Sequence, residues 1–440
     1  MVVSPGADGP QYSDICEALV AGAWTDVNIL FVHQNFPGQF AHVAPALAAR
    51  GHRVIALSIT GRDLPGVTVL RYRPDPPATC TSVGLARDLE TKIVRGTACL
   101  RAMAKLNSDG FLPDVIVAHP GWGDALFCKD VWPRAKLVIY AEFYYSSDGS
   151  DYGFDKEFHR DSLGARASLR LKNTVHLHAF AQADVIFSPT EWQRDQLPAP
   201  YREKSHVMFD GIDTTVARPD DSAKLTLARQ GIRLAKGDEI ITFVNRNLEP
   251  YRGFHIFMRS LVPLLAARPS ARCLIVGRDE VSYGSRPPGG EGWRVHMLKE
   301  LGAGIPMDRV HFLGGLPYEQ YLKVLQISAC HVYLTYPFVL SWSCLEAMSV
   351  ACPLVASDTG PVREVVRDGE NGLLVDFFNP QQIADKVGAL LSDPVRGKEL
   401  GIQARRSVVE RFDLRSRCLE GQIQIILSAT SASPSASAGS

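Results

Sequence analysis

Apolar runs and polar turns alternate along this chain in blocks too regular for a single irregular core. The first run, VNILFVH (27–33), is apolar on consecutive positions, the pattern of a strand buried on both faces. The turn QNFPGQF separates it from a helix expected from about Gln39 to Arg50, with Val43 and Leu47 at helical spacing. Gly51 closes that helix and VIALS (54–58) is the next strand. Strand, glycine turn, helix and strand make a βαβ unit and predict a parallel sheet. Further units follow. An amphipathic helix near 89–106 precedes the strand of DVIVAHPGWG, the pair Trp132-Pro133 breaks the next helix, and KLVIYAEFYY gives another strand. Residues 146–161 read as a surface loop rich in Asp, Gly and aromatics. A helix over 162–183, a strand at 185–187, the turn SPTEW and a strand at 206–209 end the first series near 210.

DGIDTTVARPDD has turn chemistry without apolar periodicity and is expected to link two domains. The second series opens with strand 240–244, an arginine-containing loop and a helix over 253–268. ARCLIVG, a Gly- and Pro-rich loop (282–292), the strand of RVHFLGGL and a helix at 318–328 follow. The stretch 333–376 then reads as buried strand, polar turn, a short helix holding Glu346, a strand at 354–356, an Asp-Thr-Gly-Pro loop opening a helix (361–366), an Asn-Gly turn and a last strand. A remaining helix near 414–427 is expected to pack back on the first domain.

Length supports this division, since 440 residues exceed one ordinary core. Hydrophobic residues make up 46% and charged residues 21%, the composition of a soluble globular protein. Lysine plus arginine and aspartate plus glutamate both number 47, so net charge gives no bulk attraction to nucleic acid, and none is expected as a partner. The nine cysteines are odd in number and form no C-x-x-C pair. Cys273, Cys330 and Cys344 lie in apolar context, which fits reduced core thiols and a cytoplasmic location. No apolar run reaches the roughly 18–20 residues of a membrane span, so a transmembrane segment is not expected, while peripheral membrane contact stays open. Residues 1–26 lack the pattern of a signal peptide and are expected to be an extension, as 429–440 are expected to be a disordered tail.

Several side chains fall where α/β sheets bind ligands, at the carboxyl ends of strands. Glu346 could accept hydrogen bonds from the vicinal hydroxyls of a ribose. Arg246 and Arg252 share a loop between strand and helix, which suits a diphosphate; a pair of solvated surface arginines is the alternative. His119 in HPGWG either caps its strand or bonds a sugar hydroxyl, with Gly121 and Gly123 letting backbone approach. Gly38 is an ordinary turn glycine or brings N–H groups to an anion. Glu142 is a catalytic or acceptor-binding carboxylate, or an ion-pair partner. His159, His176 and His178 have poor spacing for a metal, and no metal site is expected. The first turn has no G-x-G-x-x-G, which leaves a nicotinamide or flavin dinucleotide with little support.

These motifs together resemble the nucleotide-sugar glycosyltransferases of family 4, over residues 27–412. FVHQNFPGQFAHVAPALAARGHRV resembles that family's amino-terminal strand, turn and helix. VNRNLEPYRGF is similar to its G-R-x(4–5)-K-G diphosphate loop, with Arg252 replacing the lysine, and DGID (210–213) is similar to its N-G-[IV]-D segment. LEAMSVACPLVASDTGPVREVVRDGENGLLV is the most specific match. The resemblance implies an α/β fold of two Rossmann-like domains facing across a cleft: an acceptor domain at 27–210, a nucleotide-sugar donor domain at 211–412, and a helix at 413–428. It implies that Arg246, Arg252 and His119 are catalytic. Donor binding would fall to Glu346, Gly38, Phe312, Leu313, Gly314, Ser341, Trp342, Ser343, Gly360 and Pro361. Glu142, Gln39 and Trp122 would bind the acceptor.

The resemblance further implies a retaining, metal-independent, hexosyltransferase-type enzyme with no cofactor beyond its nucleoside-diphosphate sugar. The acceptor would be a hydroxyl on a polysaccharide, glycolipid or secondary metabolite. The chain departs from the family at one place. The family has two glutamates eight positions apart, and in FVLSWSCLE the earlier is Phe338, with Val339 and Ser341 where glycines are usual. A subgroup carrying HPGWG, NRNLEPYRGF and YPFVLSWS shares this variation, so Phe338 is not read as the mark of an inactive relic. A sugar-nucleotide epimerase on the same fold and a non-catalytic sugar-binding relic remain the alternatives.

Overall fold

The computed structural model describes residues 27–75, 84–228 and 230–431; the expected extension at 1–26 and the last residues of the expected tail lie outside them. The chain forms two compact units. One takes the described residues up to Asp210 together with those from Arg415 onward; the other is Gly211–Leu414.

The first unit is built on seven strands: β1 (Asn28–Val32), β2 (Arg53–Ser58), β3 (Val67–Arg71), β4 (Val115–Ala118), β5 (Lys136–Tyr140), β6 (Val185–Ser188) and β7 (Ser205–Val207). Their order is β3-β2-β1-β4-β5-β6-β7, with every pairing parallel. The central strands are apolar at nearly every position because helices cover both faces. The edge strand β3 is exposed on most positions, so its pattern carried no signal of a buried strand. The long helix expected over 162–183 is two, Leu163–Lys172 and Thr174–Gln182, parted at Asn173. Asn173 turns its side chain to the backbone of Tyr145, at 3.0 Å and 2.7 Å, the backbone-directed bonding that disfavours this residue inside a helix. The helix expected from Gln39 starts later, at Val43, after a tight turn at Gly38–Phe40.

The last helix, Leu419–Ser431, runs into the segment expected to be a tail. It packs on β4, β5 and helix Val43–Ala49. An Arg50–Glu420 ion pair at 2.5 Å and a Gln422 amide donating to the Phe209 carbonyl at 2.9 Å fix it there. Among the described residues no helix is long and apolar enough to cross a membrane.

The second unit opens with an antiparallel hairpin, β8 (Lys224–Leu227) and β9 (Ile232–Ala235), where the sequence suggested only linker and turn. Six parallel strands follow: β10 (Ile240–Asn247), β11 (Arg272–Arg278), β12 (Val310–Gly314), β13 (Cys330–Tyr333), β14 (Leu354–Ser357) and β15 (Leu373–Val375), in the order β12-β11-β10-β13-β14-β15. Helices Trp293–Leu301, Pro380–Ser392 and Pro394–Arg411 add to those expected. Entrance and exit of this domain are tied together: Ile212 donates to the Phe412 carbonyl at 2.8 Å, Leu414 donates to the Ile212 carbonyl at 2.9 Å, and Thr214 donates to Asp413 at 2.6 Å. The seven described cysteines are buried and free.

Candidate active site

In each sheet the strand order reverses once, between β1 and β4 and between β10 and β13. Open α/β sheets bind ligands in the crevice at such points, beyond the carboxyl ends of the strands. The candidate residues gather there.

In the second domain, the loop after β10 makes a tight turn at Pro250–Arg252 and enters helix Phe254–Ala267 through Gly253. Gly253 has φ +69°, and a Cβ there would lie 2.3 Å from the Leu334 Cβ. Gly253→Ala is therefore expected to destabilise the protein by about 1–3 kcal/mol, from overpacking with a strained backbone added. A lowered urea midpoint would show it, and an unchanged midpoint would count against the stated clash.

The two arginines expected in one loop are not both in it: Arg246 lies within the last two residues of β10 and Arg252 in the turn beyond it, and they behave differently. Arg252 turns inward and is buried, its Nη1 donating to Thr335 Oγ1 at 2.8 Å, the Val339 carbonyl at 2.9 Å and, more distantly, Tyr333 OH at 3.4 Å. Its guanidinium lies 5.6 Å and 5.7 Å from the ring centroids of Tyr283 and Phe338. Phe338 also meets Tyr251 and Tyr283 edge-on, at 5.5 Å and 4.9 Å between centroids. Where the resembling family has a carboxylate, this domain has an aromatic ring packed beside a buried cation. Arg246, by contrast, is exposed and makes no hydrogen bond or ion pair with a described residue.

Glu249, which was not among the expected site residues, is buried and accepts backbone N–H groups of Ser282, Tyr283 and Gly284 at 2.9–3.3 Å. It clamps the loop after β11 against the loop after β10. Three successive amides around one carboxylate form an anion nest already filled by the protein itself.

Glu346 lies one turn inside helix Trp342–Ser349, whose N-cap is Ser341, and not at the helix start as its spacing suggested. Its Oε1 accepts Tyr318 OH at 2.8 Å and its Oε2 accepts Tyr321 OH at 2.7 Å, both from helix Tyr318–Gln326. Burial raises its pKa, and the two tyrosine bonds oppose that shift. Each oxygen keeps a lone pair. No ion pair joins Glu346 to Arg246 or Arg252.

The other donor-side residues share this sheet edge. Phe312, Leu313 and Gly314 end β12, half-buried, with the Arg294 guanidinium 5.2 Å over the Phe312 ring. The Ser341 N–H donates to Tyr333 OH at 2.9 Å, and Ser343 shares a hydroxyl–hydroxyl contact with Ser341 at 2.9 Å. Trp342 begins the helix, and Gly360 and Pro361 begin a one-turn helix after β14.

In the first domain, His33, Gln39, Glu142 and His119 form one continuous hydrogen-bonded chain whose donor directions are fixed. His33 Nδ1 accepts the Asn35 N–H at 3.0 Å, so Nε2 carries the proton and donates to Gln39 Oε1 at 3.0 Å. The Gln39 amide then donates to Glu142 Oε1 at 2.7 Å. His119 Nδ1 accepts the Gly121 N–H at 3.1 Å, so its Nε2–H donates to Glu142 Oε2 at 3.3 Å. Gln193 anchors the backbone, donating to the Glu142 carbonyl at 2.6 Å. Trp122 stacks on His119 with centroids 4.3 Å apart. Gly38, at φ +49°, passes so close to His33 that a Cβ would sit 2.4 Å from its Nε2. His33 was missed in the sequence, although it ends the first buried run as His119 follows a later one.

Two family descriptions match the chain: "Glycosyl transferase family 4 group" over residues 50–217 and "Glycosyl transferases group 1" over residues 226–407. Each half of the chain thus matches a glycosyltransferase description, and its two parallel-sheet domains have the B-type fold. A D-inositol 3-phosphate glycosyltransferase of Nocardia farcinica is 32% identical over 229 residues, 51% of this chain and 48% of that protein. The chain spans about half the length of the curated relatives it matches. Among solved structures, sucrose-phosphate synthase of Thermosynechococcus elongatus superposes with TM-score 0.68 at 18% identity, over 92% of this chain and 100% of that one. HepE of Anabaena, solved in complex with UDP, superposes with TM-score 0.62 at 16% identity, again over 92% and 100%. At these identities the structural likeness speaks for the fold and not for its ligands.

Proposed function

We propose that this glycosyltransferase moves a hexosyl group from a nucleoside-diphosphate sugar to a hydroxyl acceptor, with retention of anomeric configuration. The carrying observation is the carboxyl edge of the second sheet, where exposed Arg246 and the tyrosine-held carboxylate of Glu346 follow strands of one parallel sheet. That edge lies within the span matched by the group 1 description. A cation and a hydrogen-bond-accepting carboxylate suit the diphosphate and ribose of one nucleotide. The UDP held by HepE supports a nucleotide donor.

In this reading Glu346 anchors the ribose and Arg246 neutralises charge developing on the leaving diphosphate, an electrostatic contribution to catalysis. Arg252 supports both by locking the loops after β10 and β13 together. His119, expected beside the donor sugar, has both ring nitrogens committed, to the Gly121 N–H and to Glu142, and acts by holding that carboxylate. The bond from the anomeric carbon to the β-phosphate oxygen breaks, the acceptor oxygen bonds the same face of that carbon, and the acceptor proton passes to the departing phosphate oxygen. No step is assigned to a metal, so turnover is expected to persist in a chelator. The inositol phosphate in the name of the Nocardia relative is one acceptor to try; the polysaccharide, glycolipid and secondary-metabolite classes are others.

Thermal shifts with UDP, GDP, TDP and ADP, followed by the corresponding sugars, test the reading, because a ligand bound by the native state stabilises it by mass action. The anomeric proton coupling of the product then reads retention. A protein stabilised by no nucleotide and hydrolysing no donor would remove the proposal. Arg246→Gln is expected to weaken diphosphate binding about tenfold, on the scale of one charge-assisted hydrogen bond, and to leave the free nucleoside and the urea midpoint unaffected. Calorimetry with nucleoside and nucleoside diphosphate in parallel separates the two.

A further inference from the structure

The first-domain chain of hydrogen bonds specifies more than the presence of a ligand site. Glu142 is its only carboxylate, and each oxygen already receives one N–H, from Gln39 and from His119. About a third of the side chain, 32%, stays exposed. A carboxylate so placed can only accept, so a ligand must come to it with a donor. The groups around it add no positive charge able to hold an anion. His33 is kept neutral, its pKa pushed down to about 3 above all by burial, and His119, whose Nδ1 accepts the Gly121 N–H, is held as the neutral tautomer. The Tyr140 hydroxyl donates away, to Asp210 at 2.9 Å. No lysine or arginine pairs with Glu142 among the described residues. Trp122, half-buried and stacked on His119, supplies a flat apolar face beside the carboxylate. Burial opposes ionisation of Glu142, yet the bonds from His119 and Gln39 outweigh it and hold the carboxyl below the usual range. It is therefore an anion at neutral pH.

We infer that the acceptor bound at this switch point is an uncharged polyol or sugar, its hydroxyls donating to Glu142 and its C–H face lying on Trp122, and that phosphate esters are rejected there. The inference rests on the transferase reading above and names its acceptor class. A phosphate group brought beside Glu142 would meet a fixed like charge with no compensating cation, which is discrimination by repulsion and not by fit.

The test uses the full chain and matched pairs: glucose, myo-inositol and glycerol, each against its monophosphate. Binding is read as the fluorescence change lost in Trp122→Phe, and transfer as product formed from the donor that stabilises the protein. The expected result is that at least one uncharged member binds and reacts while its ester does neither. Glu142→Gln should raise the acceptor KM about ten- to a hundredfold, the loss of one or more charge-assisted bonds, relax the exclusion of esters, and leave nucleotide binding to the second domain intact. Preference for an ester, binding by no uncharged member, or an acceptor KM unmoved in Glu142→Gln would each overturn the inference. Failure of every nucleotide to bind would instead overturn the transferase reading, so the two failures are told apart.

Discussion

Arg252→Ala is expected to destabilise the second domain by about 3 kcal/mol and to abolish turnover, whereas removal of Arg246 weakens donor binding and slows turnover without lowering stability. The difference follows from where the two cations sit. The Arg252 Nη1 supplies hydrogen bonds to Thr335 Oγ1 and the Val339 carbonyl and approaches Tyr333 OH. Thr335 and Val339 are buried, so truncation leaves the Thr335 hydroxyl and the Val339 carbonyl without this donor, while Tyr333 OH keeps the Ser341 N–H. Each such loss costs about 1–3 kcal/mol, and bonds to a charged donor lie at the upper end. The side chain also holds the β13 loop that carries Phe338 and Ser341, so the donor edge should lose its shape even in molecules that stay folded. Arg252→Lys keeps the charge but not the planar fork, and should fall between alanine and the parent. Urea denaturation beside kcat measurements checks both halves. A stable, inactive Arg252→Ala protein would mean that the guanidinium acts on the ligand directly and not through the loops.

The same distinction shows what the sequence could and could not carry. Strands β1, β2, β4, β5, β10, β11, β13 and β14 were legible because helices on both faces of a parallel sheet demand apolar residues at consecutive positions. The edge strand β3 and the β8–β9 hairpin are half exposed and left no such run. The positions after the strands were legible too, since βα turns fall at predictable points: Arg246, Arg252, His119 and Glu142 all lie where the reading placed them, at carboxyl ends. What spacing could not give was the direction each side chain takes. Six residues apart, at the end of β10 and in the turn after it, Arg246 is exposed and Arg252 is buried. The partners of Glu346 come from a helix some 25 residues earlier, and those of Glu142 from turns more than 20 and 100 residues away. Such pairings depend on which strands become neighbours, and strand order has no local signature. Phe338 shows the same limit from the other side. In the sequence it was a missing carboxylate that left the donor sugar undefined, whereas in place it packs against Arg252 and two tyrosines.

Glu346→Gln is expected to lower nucleotide affinity about ten- to a hundredfold, equivalent to the 1.5–3 kcal/mol of a hydrogen bond to a charged group. Glutamine is chosen over alanine because Tyr318 and Tyr321 both donate to the carboxylate, and deleting it would orphan two largely buried hydroxyls. The amide keeps one acceptor oxygen and turns the other position into a donor facing a tyrosine hydroxyl, which can rotate to accept. The fold should survive, and the melting temperature without ligand checks this. Loss of affinity with an intact melting temperature assigns the carboxylate to the nucleotide; loss of both assigns it to holding the two helices together. Burial raises the pKa of Glu346 above the ordinary carboxylate range, so the pH dependence has a definite sign. The ribose-accepting anion is fully present above that raised pKa and disappears as pH falls through it. Nucleotide affinity in the parent should therefore drop on acidification sooner than an ordinary glutamate would dictate, and this component of the drop should be missing in Glu346→Gln. A parent whose affinity shows no such component, or a variant that keeps it, would move the ribose contact to another residue.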